Sequence, residues 1–168
     1  MSTGPVEDAP LHLAKVLTVS DGVHAGTRDD ASGRALVARL TDGGFRVVEH
    51  CVSDDGAEPV AAALGRMAEG FSGVIVTTGG TGFGPRDETP EGTALVLARP
   101  APGLAEAMRL VNPLGRLSRG VAGTVDRALV LNVVGSTRGA IEMLEAVIDV
   151  LPHAIELMVD NRAPHPAP

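Results

Sequence analysis

The sequence predicts an α/β fold, a three-layer α/β/α sandwich built on a mostly parallel sheet. Three observations predict it. Residues 73–78 are β-branched and apolar on both faces, as a strand in the middle of a parallel sheet must be. Short apolar runs alternate along the chain with segments whose apolar residues recur at helical spacing. The chain has 168 residues, 44% of them hydrophobic, which suffices for one buried core without disulfide or metal staples.

The elements follow in order. Residues 14–19 form an apolar strand that stops at the turn signal Ser20-Asp21. Asp30 or Ser32 can cap the next helix, which places Leu36, Val37 and Leu40 on one face and stops at Gly43-Gly44. Residues 45–51 read as a second strand. Pro59 opens a helix with Val60, Leu64 and Met67 on a shared face, closed by Gly70. After the strand at 73–78, Thr89 is the expected cap of a short helix with Pro90 at its first position, and Gly92 inside it should cost about 1 kcal/mol of helix stability. Leu104, Met108 and Val111 mark another helix, and residues 128–134 another buried strand. Ile141, Leu144, Ile148 and Leu151 lie on one long helical face that Pro152 bends or ends. Residues 1–10 and 162–168 lack patterning and are expected to be flexible arms around a single domain at 11–161.

Composition excludes several classes of function. Net charge is −7 and the aromatics are three phenylalanines, so neither a basic footprint nor a base-stacking surface for nucleic acid is expected. No apolar run is long enough to span a membrane, and the N-terminus shows no charged-then-apolar leader pattern. The single cysteine, Cys51, cannot form an internal disulfide, which fits a cytoplasmic protein; at the end of an apolar run it reads as a small core residue. No two histidines have metal-ligand spacing on one helix, and His24 reads as a solvated loop residue.

The central strand runs directly into Thr77-Thr78-Gly79-Gly80-Thr81-Gly82-Phe83-Gly84-Pro85-Arg86-Asp87. In open α/β sheets ligands bind beyond the carboxyl ends of strands. Glycines let the backbone approach a ligand closely, and successive N–H groups, with the following helix N-terminus, make an anion cradle. The lysine of a Gly-Lys-Ser/Thr phosphate loop is missing, since Lys15 is the only lysine, and a G-x-G-x-x-G fingerprint does not fit in register. Asp87 reads either as a Mg²⁺ ligand beside phosphates or as a carboxylate balancing the helix dipole; spacing alone leaves both open.

These residues carry a resemblance. Thr77 to Gly82, Arg86-Asp87 and Thr89-Pro90-Glu91 resemble the signature of the MogA/MoaB family and of the related G-domains of plant and animal molybdenum-cofactor proteins. Val19-Ser20-Asp21 with Gly26, Asp30, Ser32 and Gly33 is similar to the family's first motif. Pro102-Gly103 with Glu106, Met108 and Arg109, Leu117-Ser118-Arg119-Gly120 with Gly123, and Asn132 with Gly135-Ser136 match later ones. The likeness runs from about Lys15 to Val159 in the family's order.

The resemblance implies transfer of AMP from ATP to molybdopterin with loss of pyrophosphate, Mg²⁺ as cofactor, and trimeric, in some relatives hexameric, assembly. A molybdenum-insertion protein is an implied further partner. Asp54 and Asp87 are the implied catalytic and metal-holding pair, with Asp55 one residue away as the rival for the first role. Ser20, Asp21, Gly79, Gly80, Thr81, Gly82, Arg86, Ser118, Arg119, Gly135 and Ser136 are the implied substrate contacts. For Ser20, Asp21, Ser118 and Arg119 a turn, a cap or an ion pair serves equally well as an explanation. Val133-Val134 stands where the family has Leu-Pro, which keeps a non-catalytic molybdopterin-binding or scaffold protein as the alternative.

Overall fold

A computed structural model describes residues 11–159; the two terminal arms expected at 1–10 and 162–168 lie outside the described residues. The elements are β1 (His12–Val19), α1 (Asp21–His24), α2 (Ala31–Asp42), β2 (Phe45–Ser53), α3 (Ala57–Ala68), β3 (Ser72–Thr78), α4 (Thr89–Val96), β4 (Arg99–Pro100), α5 (Pro102–Leu110), a 3-10 turn at Pro113–Leu117, β5 (Ala122–Val125), β6 (Arg127–Val133), α6 (Thr137–Glu145) and α7 (Leu151–Val159).

One six-stranded sheet runs β2-β1-β3-β6-β5-β4. The first four strands are mutually parallel, while β5 and β4 join antiparallel at the far edge. Strand parity builds a core on each face. Val16, Val74, Val76, Leu129 and Leu131 pack with α2, α5, α6 and α7. Leu17, Ile75, Ala128 and Val130 face the other way, onto Val60, Leu64 and Met67 of α3. Helices therefore cover both sheet faces, and the expected three-layer architecture is present.

Two strands are added and two local expectations change. The antiparallel strands β4 and β5 escape a periodicity reading because one has two residues and the other, Ala-Gly-Thr-Val, has no clear alternation. Pro152 does not end a long helix. Helix α6 stops at Glu145, and Pro152 sits in the first turn of α7, where a missing N–H costs nothing. Thr89 does not cap α4 either. Glu88 occupies the cap position, and the Thr89 hydroxyl donates to the Gly79 carbonyl at 2.9 Å.

Chain order positions the site. From β1 the chain crosses through α2 to β2 at one edge, then returns through α3 to β3 on the other side of β1. Helices α2 and α3 thus leave on opposite faces, and a crevice opens beyond the paired carboxyl ends of β1 and β3, where the crossovers part.

Gly92 also acquires a reason. A Cβ there would stand 2.5 Å from the Ala57 carbonyl oxygen and 2.8 Å from Val60 Cβ, so the glycine is what lets α4 lie against α3. Alanine would recover about 1 kcal/mol of helix propensity. Forcing packed helices apart typically costs about 1–3 kcal/mol. Because the nearest atom is backbone, we expect Gly92→Ala to lower the unfolding free energy, measured by urea denaturation, despite its better propensity.

Candidate active site

Strand β3 delivers the glycine loop to the crevice in a fixed shape. Gly79 has φ of 101° and Gly80 of 67°, a region glycine enters without strain. A Cβ on Gly79 would collide with the Val19 carbonyl, and one on Gly80 with the Thr89 hydroxyl. The loop is thus wedged between the end of β1 and the start of α4. Thr89 N–H donates to the Gly80 carbonyl at 3.0 Å, and Gly79 N–H to the Val133 carbonyl at 3.3 Å.

Behind the loop lies a buried polar network. Asn132 on β6 donates to the Thr77 hydroxyl at 2.9 Å and the Thr93 hydroxyl at 3.0 Å, and accepts from the Val121 N–H at 3.1 Å. Thr93 in turn donates to the Thr89 carbonyl at 2.8 Å. Thr77, Thr89, Thr93 and Asn132 are all essentially inaccessible to solvent. Asn132 thereby couples β3, β6, α4 and the segment after Ser118.

A cavity of about 770 Å³ opens above the loop, in the size range of a small-molecule site. Gly79, Gly80, Thr81, Gly82 and Asp87 form one wall, with Ser20 at the end of β1. Ser118, Gly135 and Ser136 approach from the other side. Ser20 also caps α1, its hydroxyl accepting from Val23 N–H at 3.2 Å. Nine of the thirteen residues expected in the site therefore line one cavity: Ser20, Gly79, Gly80, Thr81, Gly82, Asp87, Ser118, Gly135 and Ser136.

The other four do not line it. Asp54 turns away and pairs with His24 at 2.7 Å, whereas Asp55 lines the cavity. The one-residue step matters because consecutive residues leaving β2 project in different directions. Asp55 is locked to the end of β1 by a reciprocal pair: Asp21 N–H donates to its carboxylate at 2.9 Å, and its own N–H donates to the Asp21 carboxylate at 3.1 Å. Arg86 grips that same Asp21 carboxylate at 2.5 and 3.1 Å and donates to the Asp55 carbonyl at 3.2 Å. The guanidinium holds the Asp21 carboxyl below the usual carboxylate range.

Arg119 is a buttress for the loop. It donates to the carbonyls of Gly82 at 2.7 Å and Asp87 at 2.5 Å, and pairs with Glu91, which it keeps below the usual carboxylate range. Both arginines expected among the substrate contacts are engaged in shaping the site. Asp87 itself accepts from the Gly84 N–H at 2.9 Å through one oxygen, and its other oxygen makes no hydrogen bond among the described residues. Asn132, which sequence reasoning placed only within a motif, has no legible signal beyond being a lone polar residue in an apolar strand.

Comparison with known proteins gives the family. Residues 15–153 match the family described as "Probable molybdopterin binding domain". The chain belongs to this family. It is 33% identical over 158 residues to the molybdopterin adenylyltransferase of Helicobacter pylori strain J99, covering 90% of this chain and 89% of that protein. It is 37% identical over 151 residues to a molybdenum cofactor biosynthesis bifunctional protein of Synechococcus elongatus, and spans 47% of the length of that longer relative. Among solved structures, the molybdopterin biosynthesis enzyme MoaB of Thermus thermophilus superposes with a TM-score of 0.83 at 45% identity, over 88% of this chain and 96% of that one.

The Asn132 network gives a test of how the loop is held. Asn132→Leu keeps the branched skeleton but leaves the Val121 N–H and the Thr77 hydroxyl without a partner. The expected loss is about 1–3 kcal/mol, read as a lowered denaturation midpoint with an unchanged m-value.

Proposed function

We propose that this member of the molybdopterin-binding family transfers AMP from ATP to molybdopterin. One observation carries the reading: a glycine loop with amides available for phosphate oxygens shares a cavity wall with two carboxylates, Asp55 and Asp87. The similarity to the molybdopterin adenylyltransferase of Helicobacter pylori supports it. In the reaction, an oxygen of the pterin's terminal phosphate attacks the α-phosphorus of ATP. The bond between the α-phosphorus and the bridging oxygen breaks, and pyrophosphate leaves with the electron pair. Such a transfer needs alignment and charge neutralisation more than a nucleophilic side chain.

The residues present fit Mg²⁺. Among the described residues no three His, Cys, Asp or Glu side chains cluster as a protein-only metal site. Mg²⁺ is commonly held by one or two carboxylates together with substrate phosphates, so two acids at the loop suffice. The second oxygens of Asp55 and Asp87 make no hydrogen bond among the described residues, and a Cβ on Gly80 would stand 3.5 Å from that of Asp55. Bound there, Mg²⁺ would neutralise phosphate charge. The chain's own part is to orient phosphate oxygens on the Gly80 and Gly82 amides, the Gly79 N–H being held by the Val133 carbonyl, and to place the pterin against Ser118, Gly135 and Ser136. The Val133-Val134 departure leaves this turn in place: the Thr78 hydroxyl donates to the Val134 carbonyl at 2.9 Å.

The proposal extends to assembly and location. Leu110, Leu114 and Leu117 on α5 and the 3-10 turn are 77%, 72% and 56% exposed, an apolar strip that supports a homotrimer or a higher multiple. No described helix is long and apolar enough to cross a membrane. A cytoplasmic location and a molybdenum-insertion protein that takes up the product complete the proposal.

The test is AMP transfer to purified molybdopterin, followed by pyrophosphate release. Asp87→Asn should lose about 10²-fold or more in rate while keeping its fold by circular dichroism. Asp55→Asn should fall much further than Asp54→Asn. A fully active Asp87→Asn protein would remove the carboxylate pair from the reaction, and a wild-type chain that binds molybdopterin without transferring AMP would favour the scaffold reading.

A further inference from the structure

With Arg86 and Arg119 engaged and Lys15 paired with Glu49 at 3.0 Å and hydrogen-bonded to the Met67 carbonyl at 2.8 Å, the cavity needs another source of positive charge. Its wall carries four carboxylates, Asp29, Asp30, Asp55 and Asp87, against one basic side chain, Arg28. A polyphosphate entering that wall is repelled unless a cation meets it.

Arg28 is built to be that cation. Its backbone is anchored to the turn after α1, the Arg28 N–H donating to the Gly22 carbonyl at 3.1 Å and the Thr27 N–H to the same oxygen at 2.9 Å. Its stem runs past Gly22, where an added Cβ would stand 3.2 Å from Arg28 Cβ. The two neighbouring carboxylates are each held elsewhere. Arg34 clasps Asp29 with two bonds of 2.7 Å. Asp30 caps α2 through the Gly33 N–H at 3.0 Å, accepts from Thr18 at 2.9 Å and pairs with His50 at 2.9 Å. The Arg28 guanidinium is left with no ion pair or hydrogen bond among the described residues.

We propose that Arg28 is a substrate-binding residue that grips phosphate oxygens of the anionic substrate in this cavity. The inference rests on the cavity being the site of the reaction proposed above. A planar guanidinium offers two parallel donors to a phosphate, which a lysine cannot reproduce. Both substrates carry phosphate, the nucleotide in its triphosphate and molybdopterin in its terminal group, and the shared chemistry is what Arg28 recognises.

Isothermal titration of the full chain with Mg²⁺-ATP, with inorganic pyrophosphate and with molybdopterin separates the sources. Arg28→Ala should bind at least one of them about tenfold or more weakly, and Arg28→Lys should recover part of the loss. Arg46→Ala, which removes an exposed cation on the β2 edge, should bind as wild type does. Circular dichroism and the melting temperature should not move, because Arg28 is exposed. A loss confined to ATP and pyrophosphate assigns the grip to the nucleotide; a loss confined to molybdopterin assigns it to the pterin phosphate. Arg28→Ala binding all three within twofold of wild type overturns the proposal and leaves the reading of the site intact. A wild-type chain that binds none of the three overturns both.

Discussion

The structure depends on one close approach. At the carboxyl end of β3 the backbone turns through Gly79 and Gly80 into a slot between the Val19 carbonyl and the Thr89 hydroxyl, where no side chain fits. Because the slot lies where the crossovers through α2 and α3 diverge, the loop walls the crevice that the strand order opens. The threonine hydroxyls and Asn132 then hold the loop from behind with hydrogen bonds shielded from water, where leaving one unmade is expensive. The loop is thereby held in one shape before any ligand arrives, which is the condition for backbone amides to act as a phosphate cradle without reorganisation.

Charge in the site divides into two tasks. Arg86 and Arg119 bind carboxylates and carbonyls of the chain itself: one ties the glycine loop to the ends of β1 and β2, the other ties it to α4 and the segment after the 3-10 turn. The resulting scaffold presents acids to the cavity, which suits a divalent cation travelling with a polyphosphate. An arginine's presence in a motif therefore does not reveal its task. Arg119 has a bound carbonyl on one side and Glu91 on the other, and such an arginine has little left to offer a ligand.

The centre of the sheet was legible because β3 and β6 are buried on both faces, and burial on both faces leaves a continuous apolar run in the sequence. Helices α2 and α3 were legible from apolar spacing, and Asp30 was one of two candidate caps, since a cap needs only a short polar side chain at one position. The antiparallel strands were not legible: β4 and β5 owe their conformation to pairing with neighbours rather than to their own residues. Gly92 looked like a defect by helix propensity and is a contact requirement, because propensity ignores what the helix packs against.

By itself the sequence determined the layered α/β class, the glycine loop and its place after the central strand, and most of the residues that come to line the cavity. It could do so because strand burial and glycine-rich turns are local properties of consecutive residues. Only the tertiary structure decided which of Asp54 and Asp55 faces the cavity, that Arg86 and Arg119 are held by the chain, and that Arg28 is left free among the described residues. Those outcomes depend on which groups far apart in sequence come within hydrogen-bonding distance, and spacing along one chain carries no record of that.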